Sequence, residues 1–332
     1  MKKVKIIIIF FLLLFLAGFI YALLTRQRAA RLDTSSLPRP NIPKTYEGEP
    51  NLVIEIESNN FDFPKTLPVL NAIPSIISEE ESIKIANHLG FNFEPITVPD
   101  VIKGKKHRYS GSDYVLLITL ESGLIDYERN LILGEVANKQ LSDTQIIKTA
   151  EEFLTQNGLA SSSEIKTLSI SYYEERGGQG LYQTTRENAT FYQVNFTTSV
   201  ADTPVLTLNP QNSPYFVRVL PDGTILKAHI EKFREIKVSE GIRKLKDYDE
   251  LLASQEEATL ISLDSGNIYL SDIPKNSIKL ITITEIELAY LMESSSTQVL
   301  QPIFLLKGTA DVSGFPDNID AILYLPAISE KN

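Results

Sequence analysis

The chain has 332 residues and a formal net charge of −10, with 43% hydrophobic and 22% charged residues. It contains no Cys, which excludes disulfide scaffolds, zinc knuckles, iron–sulfur clusters and thiol nucleophiles. Its acidic balance argues against nucleic acid as a partner, because nucleic-acid binding needs a basic surface that displaces counterions from phosphates. The charge is unevenly distributed: residues 1–33 carry +5 and the remainder −15. A basic end on an acidic body suggests membrane attachment.

The first predicted element is a transmembrane anchor helix over Ile6–Leu24, preceded by a short cytoplasmic N-terminus at residues 1–5. These 19 residues contain no charge and no Pro, and at ~1.5 Å per residue they span roughly 28 Å, close to the ~30 Å hydrocarbon core. The alternative is a cleavable signal peptide, but the apolar run is longer than in such peptides and no convincing cleavage site follows. Flanking charges are nearly balanced, and the short basic N-terminus favours a single-pass cell-membrane protein with an extracytoplasmic body.

Residues 25–50 are predicted to form a Pro-rich juxtamembrane stalk. Pro occurs at positions 38, 40, 43 and 50, and Pro favours extended backbone that cannot donate to a regular hydrogen-bond ladder. The alternative is an irregular loop packed on the folded part.

An approximate internal repeat follows, since residues 77–86 recur loosely as 141–150. In each copy a Ser is followed three residues later by Glu or Gln, the pattern of a helix capping box. Gly90 and Gly158 then stand where helix C-terminal caps are expected.

Each predicted helix is followed by strand-like segments, and a further helix-like segment covers Asp247–Leu260. We therefore expect an α+β fold in which one helix packs on a small antiparallel sheet in each of three units, 51–137, 138–235 and 236–332. The predicted strands are Tyr114–Leu120, Leu124–Tyr127, Leu168–Tyr173, Phe191–Thr197, Tyr215–Leu220, Thr224–Phe233, Lys279–Leu291, Val299–Leu306 and Ala321–Leu325.

Four short segments carry a resemblance to a known family: VRVLPDGTI at 217–225, ELAY at 287–290, LQPIF at 300–304 and YLPA at 324–327. Together with an N-terminal anchor and helix-plus-strand modules, they resemble PepSY-like domains and, more narrowly, the YycH/YycI-like regulatory proteins of bacterial two-component signalling. The resemblance implies repeated PepSY-like units behind a transmembrane helix. It also implies a non-enzymatic regulator that acts on a partner such as a sensor kinase, and it assigns no site residue.

The candidate surface contact is a basic run that contains Lys103, Lys105, Lys106 and Arg108. Such a run could contact anionic lipid headgroups, wall polymers or an acidic partner. The alternative is a solvated loop between the first helix and its hairpin.

The sequence offers little material for catalysis or metal binding. His88, His107 and His229 are its three histidines, and none has a second His at the spacing of metal ligands. There is no GxSxG motif, and few histidines are available to activate a Ser. We therefore predict no catalytic residue, metal ligand or cofactor.

These observations predict a membrane-anchored extracytoplasmic interaction or regulatory protein, non-enzymatic, that binds a protein partner through a groove or a sheet edge. The strands that carry Pro302 and Pro326 are expected at an edge, because Pro lacks the N–H that a ladder uses. Two alternatives stay open: an envelope enzyme that acts on cell-wall polymer through carboxylates, and a structural envelope spacer.

Overall fold

A computed structural model of the chain describes residues 40–42, 52–57, 61–100, 104–129, 141–162, 164–175, 181–200, 203–208, 213–264, 273–293, 299–315 and 317–330. Strands make up 54% of the described residues. The strands form two nine-stranded sheets, and the described residues also contain three α-helices.

The helices are α1 (Glu79–His88), α2 (Asp143–Gln156) and α3 (Tyr248–Ala253), and short 3₁₀ turns cover Arg186–Asn188, Gln255–Glu257 and Lys275–Ser277. The strands are β1 (Ile54–Ile56), β2 (Thr66–Pro74), β3 (Ile96–Asp100), β4 (Gly104–Ser110), β5 (Tyr114–Thr119), β6 (Leu124–Arg129), β7 (Lys166–Glu175), β8 (Leu181–Gln183), β9 (Phe191–Thr197), β10 (Ser199–Val200), β11 (Thr203–Thr207), β12 (Tyr215–Val219), β13 (Ile225–Glu231), β14 (Phe233–Lys244), β15 (Thr259–Asp264), β16 (Ile278–Met292), β17 (Val299–Val312) and β18 (Ile319–Pro326).

One sheet, which we call the middle sheet, is built from the middle of the chain. Its strand order is β3-β4-β5-β6-β13-β12-β9-β7-β8, and every neighbouring pair in it is antiparallel. The pairing of β6 with β13 joins the hairpins that follow α1 to the strands that follow α2.

Both longer helices begin and end at the residues expected from the sequence. Ser142 and Gln145 form a complete capping box at the start of α2, and the side chain of Ser78 accepts a hydrogen bond from the Glu81 N–H at the start of α1. Gly90 and Gly158, which follow the two helices, have φ values of 87° and 68°. Residues other than Gly rarely adopt this left-handed conformation, so the predicted C-terminal caps are confirmed, whereas the capping box is complete only in α2.

The two helices cover one face of the middle sheet. In α2, Ile146, Ala150 and Leu154 are fully buried one or two turns apart, as the 3.6-residue period requires. They pack with buried apolar residues of the sheet, among them Val194 of β9 and Val217 of β12. This apolar cluster is the core of the middle sheet.

The second sheet, which we call the terminal sheet, is built mainly from the two ends of the described chain. Its main path is β10-β11-β16-β17-β18-β15, with β1 beside β16, and β2 linking β17 to β14. Both of its faces are apolar: Phe304, Leu306 and Leu325 lie in one cluster, and Ile303 and Leu305 lie in another. A strand buried on both faces has a nearly continuous apolar sequence, as β17 does.

The expected α+β fold of repeated PepSY-like units, each a helix packed on its own small antiparallel sheet, is wrong. The described chain is mostly β-structure in two large sheets, and strands from residues 51–137 and 138–235 belong to the same middle sheet. Small sheets bury too little apolar surface by themselves, and here their strands merge into one wide sheet. The unit boundaries 51–137, 138–235 and 236–332 stay a prediction.

The predicted localisation also requires correction. No helix within the described ranges is long and apolar enough to cross a membrane, which contradicts the expected single-pass membrane protein. The expected anchor Ile6–Leu24 and most of the expected stalk at 25–50 lie outside the described residues.

Candidate functional site

The face of the middle sheet opposite α1 and α2, which we call the polar face, carries charged and polar side chains. Successive side chains of a strand point to opposite faces, so β13 buries Ala228 and Ile230 beneath the helices and turns Lys227, His229 and Glu231 to the other side. The same alternation in the neighbouring strands makes this face continuous from β6 to β9.

Strand register arranges these side chains in two rows across the sheet. One row contains Asp126, His229, Phe216 and Asn195, and the next contains Glu128, Lys227, Arg218 and Gln193. Residues directly opposite on paired strands have Cβ atoms ~5 Å apart, so each row brings its side chains into contact.

A cleft of about 400 Å³ opens over the polar face. Its lining comes from both sheets: Asp126, Ser213, Phe216, Arg218, Lys227, His229 and Glu231 belong to the middle sheet or its loops, and Thr207, Leu208, Met292 and Glu293 belong to β11, β16 and the residues next to them. Volumes of this size are typical of small-molecule sites.

His229 is held between two carboxylates in this cleft. Its Nδ1 lies 2.6 Å from Asp126 Oδ1 and its Nε2 lies 3.3 Å from Glu231 Oε1, while its ring stacks on Phe216 at a centroid distance of 5.2 Å. Burial disfavours the charged imidazole, but the hydrogen bonds to the two carboxylates outweigh burial and raise the pKa of His229 to about 9. The side chain is therefore an imidazolium at neutral pH and donates from both nitrogens.

Arg218 occupies the neighbouring row. Its Nε donates to Gln193 Oε1 at 2.9 Å, and its guanidinium carbon lies 5.3 Å from the ring centroid of Phe191 and 5.4 Å from that of Phe216. Burial lowers the pKa of the Arg218 guanidinium below its usual value. Two aromatic rings and one amide thus fix a partly desolvated cation at the cleft.

The predicted basic run lies in strand β4, not in a solvated loop, with Lys103 outside the described residues. Lys105 forms an ion pair with Glu79 of α1, and Lys106 forms one with Asp100 of β3. Arg108 Nε donates to Ser110 Oγ at 3.0 Å.

The strand next to this run, β3, is an edge of the middle sheet, since within the described residues it pairs with β4 alone. Its Ile96 and Val98 are 64% and 38% exposed. They lie opposite Arg108 and Lys106 in the register, so these four side chains share one face. Two apolar groups thus lie on the open edge strand, and two basic groups lie beside them on β4.

The three histidines have three different environments. His88 is exposed at the end of α1. His107 is 2% exposed, and its Nδ1 lies 3.0 Å from the buried Ser82 Oγ; burial lowers its pKa. The described residues contain no group of three His, Asp or Glu side chains arranged to hold a metal ion.

Sequence reasoning found His229 and Glu231 on one strand but missed Asp126 and Arg218 as their neighbours. The alternation of Val217, Arg218 and Val219 could have assigned Arg218 to the polar face. The contact between Asp126 and His229 depends on the pairing of β6 with β13, which no local pattern encodes.

No protein-family model matches the chain, and no curated protein matches it significantly. Among solved structures, the chain is similar to the crystal structure of an uncharacterized protein from Eubacterium rectale ATCC 33656. The TM-score is 0.40 and the identity 12%, over 82% of this chain and 87% of that chain. A likeness of this degree says nothing about function.

Proposed function

We propose that the chain is a non-enzymatic regulatory protein that binds an extended, acidic segment of a partner protein along the edge strand β3. The observation that carries the proposal is this edge, which pairs on one side alone within the described residues and exposes Ile96 and Val98. An edge strand offers unpaired backbone groups to a further strand, and Pro99 within β3 is typical of an edge position.

The charges next to the edge indicate the chemistry of the partner. Arg108 stands opposite Ile96 and forms no ion pair with a carboxylate of the described residues. Lys106 stands opposite Val98 and pairs with Asp100. Although the chain carries a net charge of −10, these two cations on the strand next to β3 favour a segment that alternates apolar and acidic side chains.

The cleft supports a non-enzymatic role. A general base must be unprotonated at the working pH, whereas His229 is charged at neutral pH and both of its nitrogens are engaged by Asp126 and Glu231. The same two carboxylates are occupied by the imidazolium, so they are poorly placed to act as an acid and base pair on a polymer. A regulator of the YycH/YycI-like kind, acting on a sensor kinase, is the more specific form of this proposal.

The test measures binding of a blocked synthetic peptide of alternating Val and Glu residues by isothermal titration calorimetry. We expect saturable binding to the unmodified protein and a loss of about tenfold or more in Val98→Glu, because a carboxylate on the edge strand repels the acidic peptide and removes an apolar contact. A peptide of alternating Val and Lys residues should bind weakly or not at all. Val238→Glu, at a 59% exposed position of β14, is the matched control and should bind as the unmodified protein does.

Three results would overturn the proposal: equal binding of the acidic and basic peptides, unchanged binding by Val98→Glu, or no binding at all. Sedimentation velocity of the same samples measures whether the chain associates with itself. Self-association that Val98→Glu abolishes would assign the edge to a second copy of the chain and would also contradict an acidic partner segment.

A further inference from the structure

Among the cations that line the cleft, Arg218 differs from the others because it forms no ion pair within the described residues; the carboxylate of Glu128 acts on it electrostatically but is bonded to Lys227. Lys227 Nζ lies 3.1 Å from Glu128 Oε2, and His229 is paired with Asp126 and Glu231. Within the described residues Arg218 forms no ion pair, and Nε is the only one of its nitrogens that donates a hydrogen bond there. A partly buried charge without a counter-charge in contact with it is costly.

The guanidinium is also held in a fixed orientation. The Nε bond to Gln193 and the rings of Phe191 and Phe216 restrict it, and Gln193 is itself supported by Asn195, whose Oδ1 accepts from Gln193 Nε2 at 3.0 Å. Arginine carries five N–H donors in a planar fork that matches a carboxylate. With Nε occupied, the terminal nitrogens are the donors left for a ligand.

The remaining lining restricts the ligand further. The half-buried Leu208 provides apolar surface beside the cation, whereas Phe216 and Met292 are almost fully buried in the cleft wall. The carboxylates of Glu293, Asp126 and Glu231 also line the cleft, and they would repel a dianion such as phosphate more strongly than a singly charged group. Glu231 has an oxygen without a hydrogen-bond partner in the described residues, but this Oε2 is buried, so a ligand in the cleft does not reach it.

We propose that the cleft binds a small monocarboxylate with an apolar body, whose carboxylate pairs with Arg218 and whose apolar part lies against Leu208. This site is separate from the edge strand β3 and goes beyond the partner binding proposed above. Either proposal can fail without affecting the other, because the peptide is tested at β3 and the carboxylate at Arg218.

The experiment titrates hexanoate into the full chain by isothermal titration calorimetry, with hexanamide and inorganic phosphate as comparison ligands. We expect hexanoate to bind, and hexanamide to bind about tenfold more weakly or worse, since a hydrogen bond between two charged groups is stronger than one between a charged group and a neutral amide. Phosphate should bind more weakly than hexanoate. This comparison uses the unmodified protein and does not depend on the folding of any variant.

Variants then locate the site. Arg218→Gln should reduce hexanoate affinity about tenfold or more while leaving the affinity for hexanamide unchanged. Arg129→Gln is the matched control, because Arg129 also stacks on an aromatic ring, that of Tyr114 at 5.1 Å, but does not line the cleft. Its hexanoate affinity should equal that of the unmodified protein.

The proposal is overturned if hexanoate does not bind, if hexanamide binds equally well, or if phosphate binds more tightly than hexanoate. It is also overturned if a folded Arg218→Gln variant keeps its hexanoate affinity, or if Arg129→Gln loses as much affinity as Arg218→Gln. Folding of each variant is checked by circular dichroism.

Discussion

His229 links the geometry of the cleft to the stability of the protein through its protonation. Its folded-state pKa of about 9 exceeds the ordinary value of 6.5. Below pH 6.5 the imidazole is protonated in both the folded and the unfolded chain, so its full stabilising contribution is present. Between pH 6.5 and about 9 the unfolded chain loses the proton first, and above pH 9 the contribution is lost.

We therefore expect the free energy of unfolding, measured by urea denaturation, to fall by about 2–3 kcal/mol between pH 6.5 and pH 9.5 because of His229. His229→Gln should be less stable than the unmodified protein at pH 6.5. Its free energy of unfolding should not show the decrease of about 2–3 kcal/mol between pH 6.5 and pH 9.5. His88→Gln, at an exposed helix end, is the control and should keep it. If His229→Gln shows the same pH dependence as the unmodified protein, the imidazolium does not contribute as described.

The start of α2 provides a test at the scale of a single element. The Ser142 side chain accepts from the Gln145 N–H, and the Gln145 side chain accepts from the Ser142 N–H. Ser142→Ala removes one acceptor from the helix N-terminus, and we expect a loss of about 1 kcal/mol in the free energy of unfolding. The measurement is urea denaturation monitored by circular dichroism.

Thr149→Ala is the control for this change, because it shortens a side chain within the same helix without touching the cap. The Thr149 hydroxyl donates to the Gln145 carbonyl, and alanine has the higher helix propensity. We expect the stability to stay equal or to rise slightly. If Ser142→Ala and Thr149→Ala lower the free energy of unfolding equally, the cap contributes no more to stability than another side chain of α2.

Elements that local chemistry specifies could be predicted from the sequence. Strand β9 occupies Phe191–Thr197 as expected, and the Gly of the hairpin turn at residues 221–223 has a φ of 94°. Strand β4 was missed, because its charged residues favoured a loop. In β4, His107 and Tyr109 alternate with Lys106 and Arg108. Burial of His107 and Tyr109 on one face is enough to hold β4 in the sheet.

Proline was a misleading guide in the terminal sheet. Pro302 was expected on an edge strand, yet β17 lies between β16 and β18. The pairing of β17 with β18 begins at Ile303, one residue after Pro302, and the Pro302 carbonyl accepts from the Ala327 N–H at 3.1 Å. The missing donor therefore falls outside that ladder, and a proline at such a position is compatible with an interior strand.

At the scale of the whole molecule, the fold class could not be obtained from periodicity because it depends on which strands pair. Asp126 and His229, which meet in the cleft, are 103 residues apart in the chain. A period of two identifies strands and their apolar faces but does not name their partners. The charged rows of the polar face, and with them the cleft, exist only because β6 pairs with β13.

The two sheets have separate apolar clusters, which leads to a prediction about cooperativity. A unit with its own core can unfold by itself. Leu154 of α2 lies in the core of the middle sheet and Leu306 of β17 in that of the terminal sheet, and both are fully buried. We expect Leu154→Ala and Leu306→Ala each to cost about 2–5 kcal/mol in the unit that contains them.

Hydrogen–deuterium exchange followed by mass spectrometry can locate these losses. Leu154→Ala should speed exchange in β6, β9, β12 and β13 but leave β16–β18 protected, and Leu306→Ala should do the reverse. Leu168→Ala, at a 39% exposed position of β7, should change neither. The Thr197 hydroxyl of β9 forms hydrogen bonds with the backbone of Val205 of β11, and these bonds link the two sheets. If either core substitution speeds exchange equally in both sheets, links of this kind are strong enough to make the chain one cooperative unit.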